Sequence, residues 1–578
     1  MFSVLWKLRW FFKENWIRYS IAVGLLMVAN VLEIIPPWLI GLAIDAIAQG
    51  EMTSLLLWQY AGVLAASMVL AYITNFVWQY QLFGGAYVIE RQLRSSLMGH
   101  FMKMTPTFYE KNRTGDLMAR ATNDLRAISE TAGFGILTLV DSTLYMATII
   151  VAMGMLVSWE LTFLALIPLP ILAIIVQVLG KKIHARYTAA QDAFGDMNDS
   201  VLESIGGVRV IRAYVQERKS EKGFSDMTND VYEKYMAVER IDALFAPVTK
   251  ILTTISYMIG LGYGAFLVAE GTMTLGDLVA FNVYLGMIVW PMFAIGEMIN
   301  ILQRGNASLD RVDETLGYKE DVAEALNPKT LETPTQISFR DFSFTYPQSS
   351  SINLQGINLS LNSGQTLGIV GKTGSGKTTF VKQLLREYPA GEGAVQMDGI
   401  DLAELPKDQL RSWIGYVPQD HVLFSRSVRD NILFGKRDAS DEDIREAIRI
   451  AHFESDLAKL PNGLETLVGE KGVSLSGGQK QRISIARALI KKPEILILDD
   501  SLSAVDAKTE AKIIENIQNE RSGKTTIITT HRLSAVQHAD WIVVLDEGKI
   551  IEEGTHEDLL KAGGWFHEQY LRQQIEEV

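Results

Sequence analysis

The sequence predicts two folds in one chain: an all-α domain of six membrane-spanning helices, then an α/β domain built around a phosphate loop. Three observations carry this. The chain has 578 residues, too many for one compact core. Its long apolar runs lie almost wholly before residue 305, and they lift the mean hydropathy to +0.12 despite 21% charged residues. Beyond them, a G-x-x-x-x-G-K-T turn follows a buried strand and opens a helix. A net charge of −13 and a pI near 5.3 argue against a broad basic face for nucleic acid. The absence of cysteine excludes disulfides, thiolate metal sites and a cysteine nucleophile.

A spanning helix needs about 20 mostly apolar residues. Six stretches meet this, at roughly 19–46, 56–80, 133–158, 161–180, 247–269 and 277–302. The first 17 residues mix Trp6, Trp10, Phe11, Phe12 and Trp16 with Lys7, Arg9 and Lys13 and offer no small-residue cleavage site. They read as a helix lying at the bilayer interface rather than a signal peptide. The outer loops, about 47–55, Trp159–Glu160 and about 270–276, contain no Lys or Arg. The connections at about 81–132 and 181–246 contain many. By the positive-inside rule, both termini and both long connections face the cytoplasm. The helical pattern continues through those connections, so spans 2 to 5 are expected to run past the bilayer and return as hairpins. The hairpin tips, Pro106–Leu125 and Gly206–Glu217, read as docking helices.

Ionisable residues inside spans are costly and mark functional sites. Here they are Glu33, Asp45, Asp141 and Glu297. Asp45 lies near the outer end of its span and reads as interfacial. Pro36 and Pro37 follow Glu33 and are expected to kink the helix. Glu33, Asp141 and Glu297 are candidates for a substrate cavity that attracts cations; hydrogen-bonded packing between helices is the alternative. Trp78, Tyr145, Tyr284, Trp290 and Phe293 are candidates for the same wall, with packing again the alternative.

The polar stretch Tyr318–Gln336, with Pro328 and Pro334, reads as a linker. It divides the chain into 1–317, 318–336 and 337–578. Ile337–Tyr346 alternates as a half-buried strand. The loop then runs Gly371, Lys372, Thr373, Gly374, Ser375, Gly376, Lys377, Thr378 and Thr379. Its backbone N–H groups would wrap phosphates at a helix N-terminus. Lys377 would reach the β and γ phosphates, and the Thr378 hydroxyl would bind Mg²⁺. PEILILDD is an apolar run ending in two carboxylates. Asp499 would hold the Mg²⁺ shell and Asp500 would face an attacking water. KTTIITTHRL is a second buried strand, leading to His531 near the γ phosphate. Between these strands Ser476-Gly477-Gly478-Gln479 opens a helix and forms a second anion site. One nucleotide cannot easily occupy both sites of one domain, so the second site is expected to close over a nucleotide held by another.

These motifs together resemble the ATP-binding cassette (ABC) superfamily, and six spans before one cassette resemble an ABC exporter half-transporter. The likeness covers nearly the whole chain. FYEKNRTGDLMARATND and FGILTLVDSTLYM resemble one subunit type of the bacterial heterodimeric multidrug exporters. Within the cassette, Tyr346 resembles the adenine-stacking aromatic and Gln419 in YVPQD the Q-loop glutamine of the catalytic and metal site. TLVGEKG (Thr466–Gly472) resembles the X-loop, and Ser503 to Asp506 the D-loop. The resemblance implies an α/β nucleotide-binding domain with antiparallel β and helical subdomains, and ATP and Mg²⁺ as cofactors. It also implies a dimer with two ATP between the cassettes, in the plasma membrane of a bacterium, exporting amphipathic and possibly cationic drugs or lipids.

One residue departs from the family pattern. After the Walker B aspartate the family usually has glutamate, the general base, and this chain has Asp500. Its carboxylate retreats by about 1.5 Å, one C–C bond. A misplaced general base forfeits roughly 10²–10⁴ in rate. The expectation is a heterodimer in which this chain's own Walker site is slow and its intact LSGGQ completes the partner's site. The alternatives are a homodimer in which Asp500 works, or a nucleotide-gated regulatory membrane subunit.

Overall fold

A computed structural model describes residues 3–325, 327–469 and 474–576. Glu470, Lys471 and Gly472 of the expected X-loop lie outside the described residues. The chain divides into two compact units. One is Met1–Phe101 with Gly115–Tyr318, and the other is Met102–Thr114 with Lys319–Val578.

The first unit is all-α. Among the described residues, the six helical runs long and apolar enough to cross a membrane are Trp16–Ala48, Ser54–Phe101, Thr114–Leu156, Trp159–Gly206, Glu217–Ala269 and Leu275–Leu316. Five of them are 42 residues or longer. At 1.5 Å per residue such a run exceeds 60 Å, about twice the hydrocarbon thickness. The sixth run overshoots as far as its neighbours, which the sequence reading confined to spans 2 to 5. Leu309 and Val312 explain the extension, because they keep its apolar face buried far beyond residue 302.

Before the first run, the short helices Ser3–Lys7 and Arg9–Glu14 bury Val4, Leu8 and Phe11 completely and leave Trp6, Trp10 and Trp16 exposed. Val4, Leu8 and Phe11 point inward and the tryptophans outward, as an interfacial helix requires. Lys7 Nζ fastens this segment to the sixth run through Asn306 Oδ1 at 3.1 Å and Asp310.

The first run breaks between Leu32 and Ile35. Pro36 and Pro37 have no N–H to give the carbonyls of Leu32 and Glu33, so the ladder cannot continue. The Ile34 carbonyl at the break accepts the hydroxyl of fully buried Tyr284 at 2.9 Å. Past the break, Asp45 is not merely interfacial. Its Oδ1 accepts the Gly276 N–H at 2.7 Å and satisfies a free donor in the first turn of Leu275–Met287. A Cβ on Gly276 would stand 2.0 Å from the Gly41 carbonyl oxygen, so the two helices cross at a distance only glycine permits. Trp78, Tyr145 and Tyr284 are buried in interhelical packing, and Trp290 remains half exposed.

Among its described residues the second unit holds ten strands. β1 (Gln336–Phe344), β2 (Leu354–Asn362), β4 (Glu392–Met397) and β5 (Ile400–Asp401) form an antiparallel sheet ordered β2-β1-β4-β5. The larger sheet runs β10-β9-β3-β8-β7-β6. Its members are β3 (Thr366–Gly371), β6 (Ile414–Val417), β7 (Ile495–Asp499), β8 (Thr525–Thr529), β9 (Trp541–Asp546) and β10 (Lys549–Gly554). It is parallel except at the β9–β10 hairpin. Ile495 and Ile497 of β7 enter one apolar cluster, and Leu496 and Leu498 enter the other. That alternation puts core on both faces of the sheet, as its unbroken apolar strands require. A helical segment, including Val428–Leu433, Asp441–Ile450 and Gly477–Leu489, lies between β6 and β7 in sequence.

Replacing Tyr284 by Phe removes one donor from the Ile34 carbonyl at a cost of about 1 kcal/mol. The thermal unfolding midpoint of the purified protein is expected to fall by roughly 1–4 °C. An unchanged midpoint would show that the break is held by its prolines alone.

Candidate active site

β3 delivers the chain to Gly371, and the Lys377–Leu384 helix begins six residues later. Gly371 has φ +148°, and a Cβ there would stand 2.1 Å from the Leu545 carbonyl oxygen of β9. No side chain fits, so the loop starts flush against the sheet. Thr373 to Thr379 then line a cavity of about 490 Å³ with Asn353, Gln419, Asp500, Thr529, His531 and Gly548. Lys377 Nζ lies against the loop, donating to the carbonyls of Gly371 at 2.8 Å and Lys372 at 2.9 Å. Burial lowers its pKa, and the charges of Asp500 and Asp499 oppose that shift.

Asp499 ends β7 and is completely buried. Three hydroxyls converge on it. Thr378 donates to Oδ1 at 3.0 Å, Thr529 donates to Oδ1 at 2.7 Å, and Tyr416 donates to Oδ2 at 3.1 Å. Burial and the Asp499 charge push the Tyr416 phenol far above its usual range, so it stays a donor.

Asp500 follows with φ +47°, a left-handed conformation that Asp tolerates better than most residues. Its N–H donates to the Thr529 carbonyl at 2.9 Å and lies 3.1 Å from the Thr529 hydroxyl. Gln419 Nε2 donates to Asp500 Oδ2 at 3.2 Å. His531 Nδ1 is 3.0 Å from Oδ1, in ion-pair range but off the geometry of a hydrogen bond. Asp500, Gln419 and His531 therefore meet in one wall of the cavity.

The remaining predicted residues stand outside that wall. Tyr346 donates its hydroxyl to Thr379 Oγ1 at 3.1 Å and packs its ring edge-on against Phe344 and Tyr388. Ser476 caps the Gly477–Leu489 helix: its Oγ accepts the Gln479 N–H at 3.3 Å, and Gln479 Oε1 accepts the Ser476 N–H at 3.0 Å. Gln479 Nε2 donates to Asp456 at 3.1 Å. None of Ser476, Gly477, Gly478 and Gln479 lines the cavity. Ser503 donates to the Asp500 carbonyl at 3.0 Å, and Asp506 caps the next helix by accepting the Thr509 N–H at 3.0 Å.

Several contributors escaped the sequence reading. Arg532 donates to the Val505 carbonyl at 3.1 Å, the Ser503 carbonyl at 3.2 Å and the buried Glu510 at 2.8 Å, binding the turn after His531 to the turn after Asp500. Gln573 of the last helix brackets the same turn, donating to the His531 carbonyl and accepting the Leu533 N–H, both at 2.8 Å. Tyr388 donates to Glu110 at 2.6 Å on the Pro106–Lys111 helix, and its ring meets Tyr346 at 4.9 Å. The hydroxyl run TTIITT was the only signal for Thr529; the others follow from tertiary pairing.

Residues 19–292 match the family ABC transporter transmembrane region, and residues 354–503 match the family ABC transporter. The chain is 62% identical over 575 residues to the probable multidrug resistance ABC transporter ATP-binding/permease protein YheI of Bacillus subtilis (strain 168), covering 100% of this chain and 98% of that one. It is 39% identical over 572 residues to the multidrug resistance-like ATP-binding protein MdlA of Escherichia coli (strain K12), covering 99% and 96%. The solved structure of a bacterial Atm1-family ABC exporter with ATP bound superposes with a TM-score of 0.77 at 25% identity, covering 96% of this chain and 98% of that chain.

The Thr529 hydroxyl serves both aspartates, donating to the Asp499 carboxylate and lying against the Asp500 backbone N–H. Thr529→Val is expected to weaken Mg²⁺-ATP binding about 10-fold in a fluorescent-nucleotide titration, with little change when Mg²⁺ is chelated. An equal loss under both conditions would mean that Thr529 only props the loop.

Proposed function

Because the chain belongs to the ABC transporter family, we propose that it is one half of an ATP-driven exporter of amphipathic drugs or lipids, paired with a different second chain. The multidrug names of its relatives support the substrate class, and the exporter among the solved structures supports the direction. The six spans place it in a membrane, and the charge of its loops supports cytoplasmic termini at a bacterial plasma membrane.

In this reading the loop Gly371 to Thr379 wraps the phosphates of ATP and Tyr346 takes the adenine. Thr378, Asp499 and Gln419 offer hydroxyl, carboxylate and amide oxygens, a hard donor set that suits Mg²⁺. The ion, when bound, neutralises phosphate charge. Lys377 moves from its loop carbonyls to phosphate oxygens, and His531 contacts the γ phosphate. Ser476 to Gln479, with Ser503 and Asp506, face the nucleotide of the partner cassette.

Asp500 is the observation that carries the asymmetric part. It occupies the position of the general base but is one methylene short of glutamate, and Gln419 already donates to its carboxylate. Reach of about 1.5 Å is missing, which is enough to cost roughly 10²–10⁴ in rate. This chain's own site is therefore slow, and the intact LSGGQ serves a competent site on the partner.

Native mass spectrometry of the tagged chain from its own membranes is expected to give this chain plus a different one of similar size. Twice 64.4 kDa would overturn the heterodimer. With the partner's site blocked, Asp500→Glu is expected to raise ATP turnover roughly 10-fold or more. An unchanged rate would remove reach as the cause.

A further inference from the structure

We propose that the N-terminal segment is a seat for an anionic phospholipid of the cytoplasmic leaflet, with Arg18 taking the phosphate and Arg9 and Lys13 flanking it. The proposal rests on the membrane placement of the chain and not on export. Residues 3–18 hold Lys7, Arg9, Lys13 and Arg18 against one carboxylate, Glu14, in a chain whose net charge is −13. Lys7 is spent inside the protein on Asp310. The other three cations enter none of the six ion pairs among the described residues of the membrane unit. The span carboxylates Glu33, Asp141 and Glu297 are also absent from those pairs, so none of them answers this charge.

Arg18 is held as an ordinary surface cation is not. It lies in the first turn of the first helical run and is half-buried. Its Nε donates to the Gln81 carbonyl of the second run at 2.9 Å. Gly84 makes the room, since a Cβ there would stand 2.2 Å from Nη2. A neutral backbone acceptor thus fixes the guanidinium, and its Nη donors meet no acceptor among the described residues. Arginine presents those donors in a planar fork that fits two phosphate oxygens. Residue 18 precedes one span and residue 81 follows the end of the next, on the side where Lys and Arg accumulate. Both positions mark the cytoplasmic headgroup level.

The surroundings fit a lipid rather than a free anion. Trp6, Trp10 and Trp16 are exposed among these cations, and the Arg9 guanidinium lies 5.1 Å from the centre of the Trp6 ring. Indoles settle at the headgroup level and hold Arg9 there. Arg9 and Lys13 are one turn apart on their helix and share a face. Ile17 and Ile21, one turn apart at the start of the first run, are exposed for an acyl chain. Each Lys or Arg near an anionic leaflet contributes roughly 5-fold in binding. A zwitterionic lipid brings its own ammonium to the same place and gains little of this.

The test is native mass spectrometry of the purified transporter in detergent, titrated with phosphatidylglycerol and with phosphatidylcholine of the same acyl chains. Phosphatidylglycerol is expected to bind about 10-fold tighter or more. Arg18→Gln is expected to cut that preference about 5-fold, and Arg9→Gln with Lys13→Gln by at least as much. Gly84→Ala leaves every charge in place but displaces the guanidinium, and is expected to match Arg18→Gln. Phosphatidylcholine binding is expected to move less than about 2-fold in each variant. Equal binding of both lipids to the unaltered protein, or equal weakening of both in the variants, overturns the seat. Competition by millimolar glycerol 1-phosphate, which carries the phosphate without acyl chains, overturns the lipid as its occupant. Thermal unfolding identifies a variant that fails to fold. If Arg18→Gln and Gly84→Ala both fail, the exposed pair Arg9 and Lys13 decides alone.

Discussion

A charge buried at the end of β7 sets the terms for everything around it. Asp499 has no solvent, and an isolated carboxylate there would be several kcal/mol too costly to keep. Three hydroxyls make it tolerable, and each comes from a different element: Thr378 from the loop helix, Thr529 from β8, Tyr416 from β6. Satisfying one buried group therefore fixes the register of three elements at once. The same arrangement passes order to Asp500, whose backbone N–H is bound by Thr529, and from there to Gln419 and His531. The cavity wall is preorganised because the group at its base admits few alternatives.

The membrane unit obeys the opposite economy. Of the ionisable residues within its spans, two sit where the helical ladder is interrupted or opened. Asp45 serves the donors of a helix start, and Glu33 sits where two prolines have broken a helix. Asp45 is a local solution to a local deficit, whereas Glu33 accepts the hydroxyl of Tyr145 on another helical run. Asp141 is different: it is buried and takes the indole N–H of Trp290 from the sixth run.

Local pattern in the sequence was enough for the elements and the loop. Continuous apolar runs, Gly-Lys-Thr at a strand end and paired carboxylates after ILIL each report on residues close in the chain, so the six helices, β3, β7 and the family were all legible. Contacts that join distant segments were not. Glu110 and Tyr388 are 278 positions apart, Gln573 and His531 42, and nothing in either string advertises the partner. Asp45 was read only in part for the same reason: its place near a span end was visible, and the helix start at Gly276 that it serves was not. The length of the sixth helical run was missed because its continuation is amphipathic rather than apolar, which a span-length window does not register.

The uninterrupted Ser54–Phe101 helix has a mechanical consequence. Forty-eight residues without a break make a rod of about 72 Å. Pivoted at one end, such a rod turns one degree of tilt into roughly 1.3 Å at the other. That displacement is close to the single bond by which aspartate falls short of glutamate. In a helix of this length, atomic-scale fit at the far end is an angular tolerance, set by the stiffness of the rod.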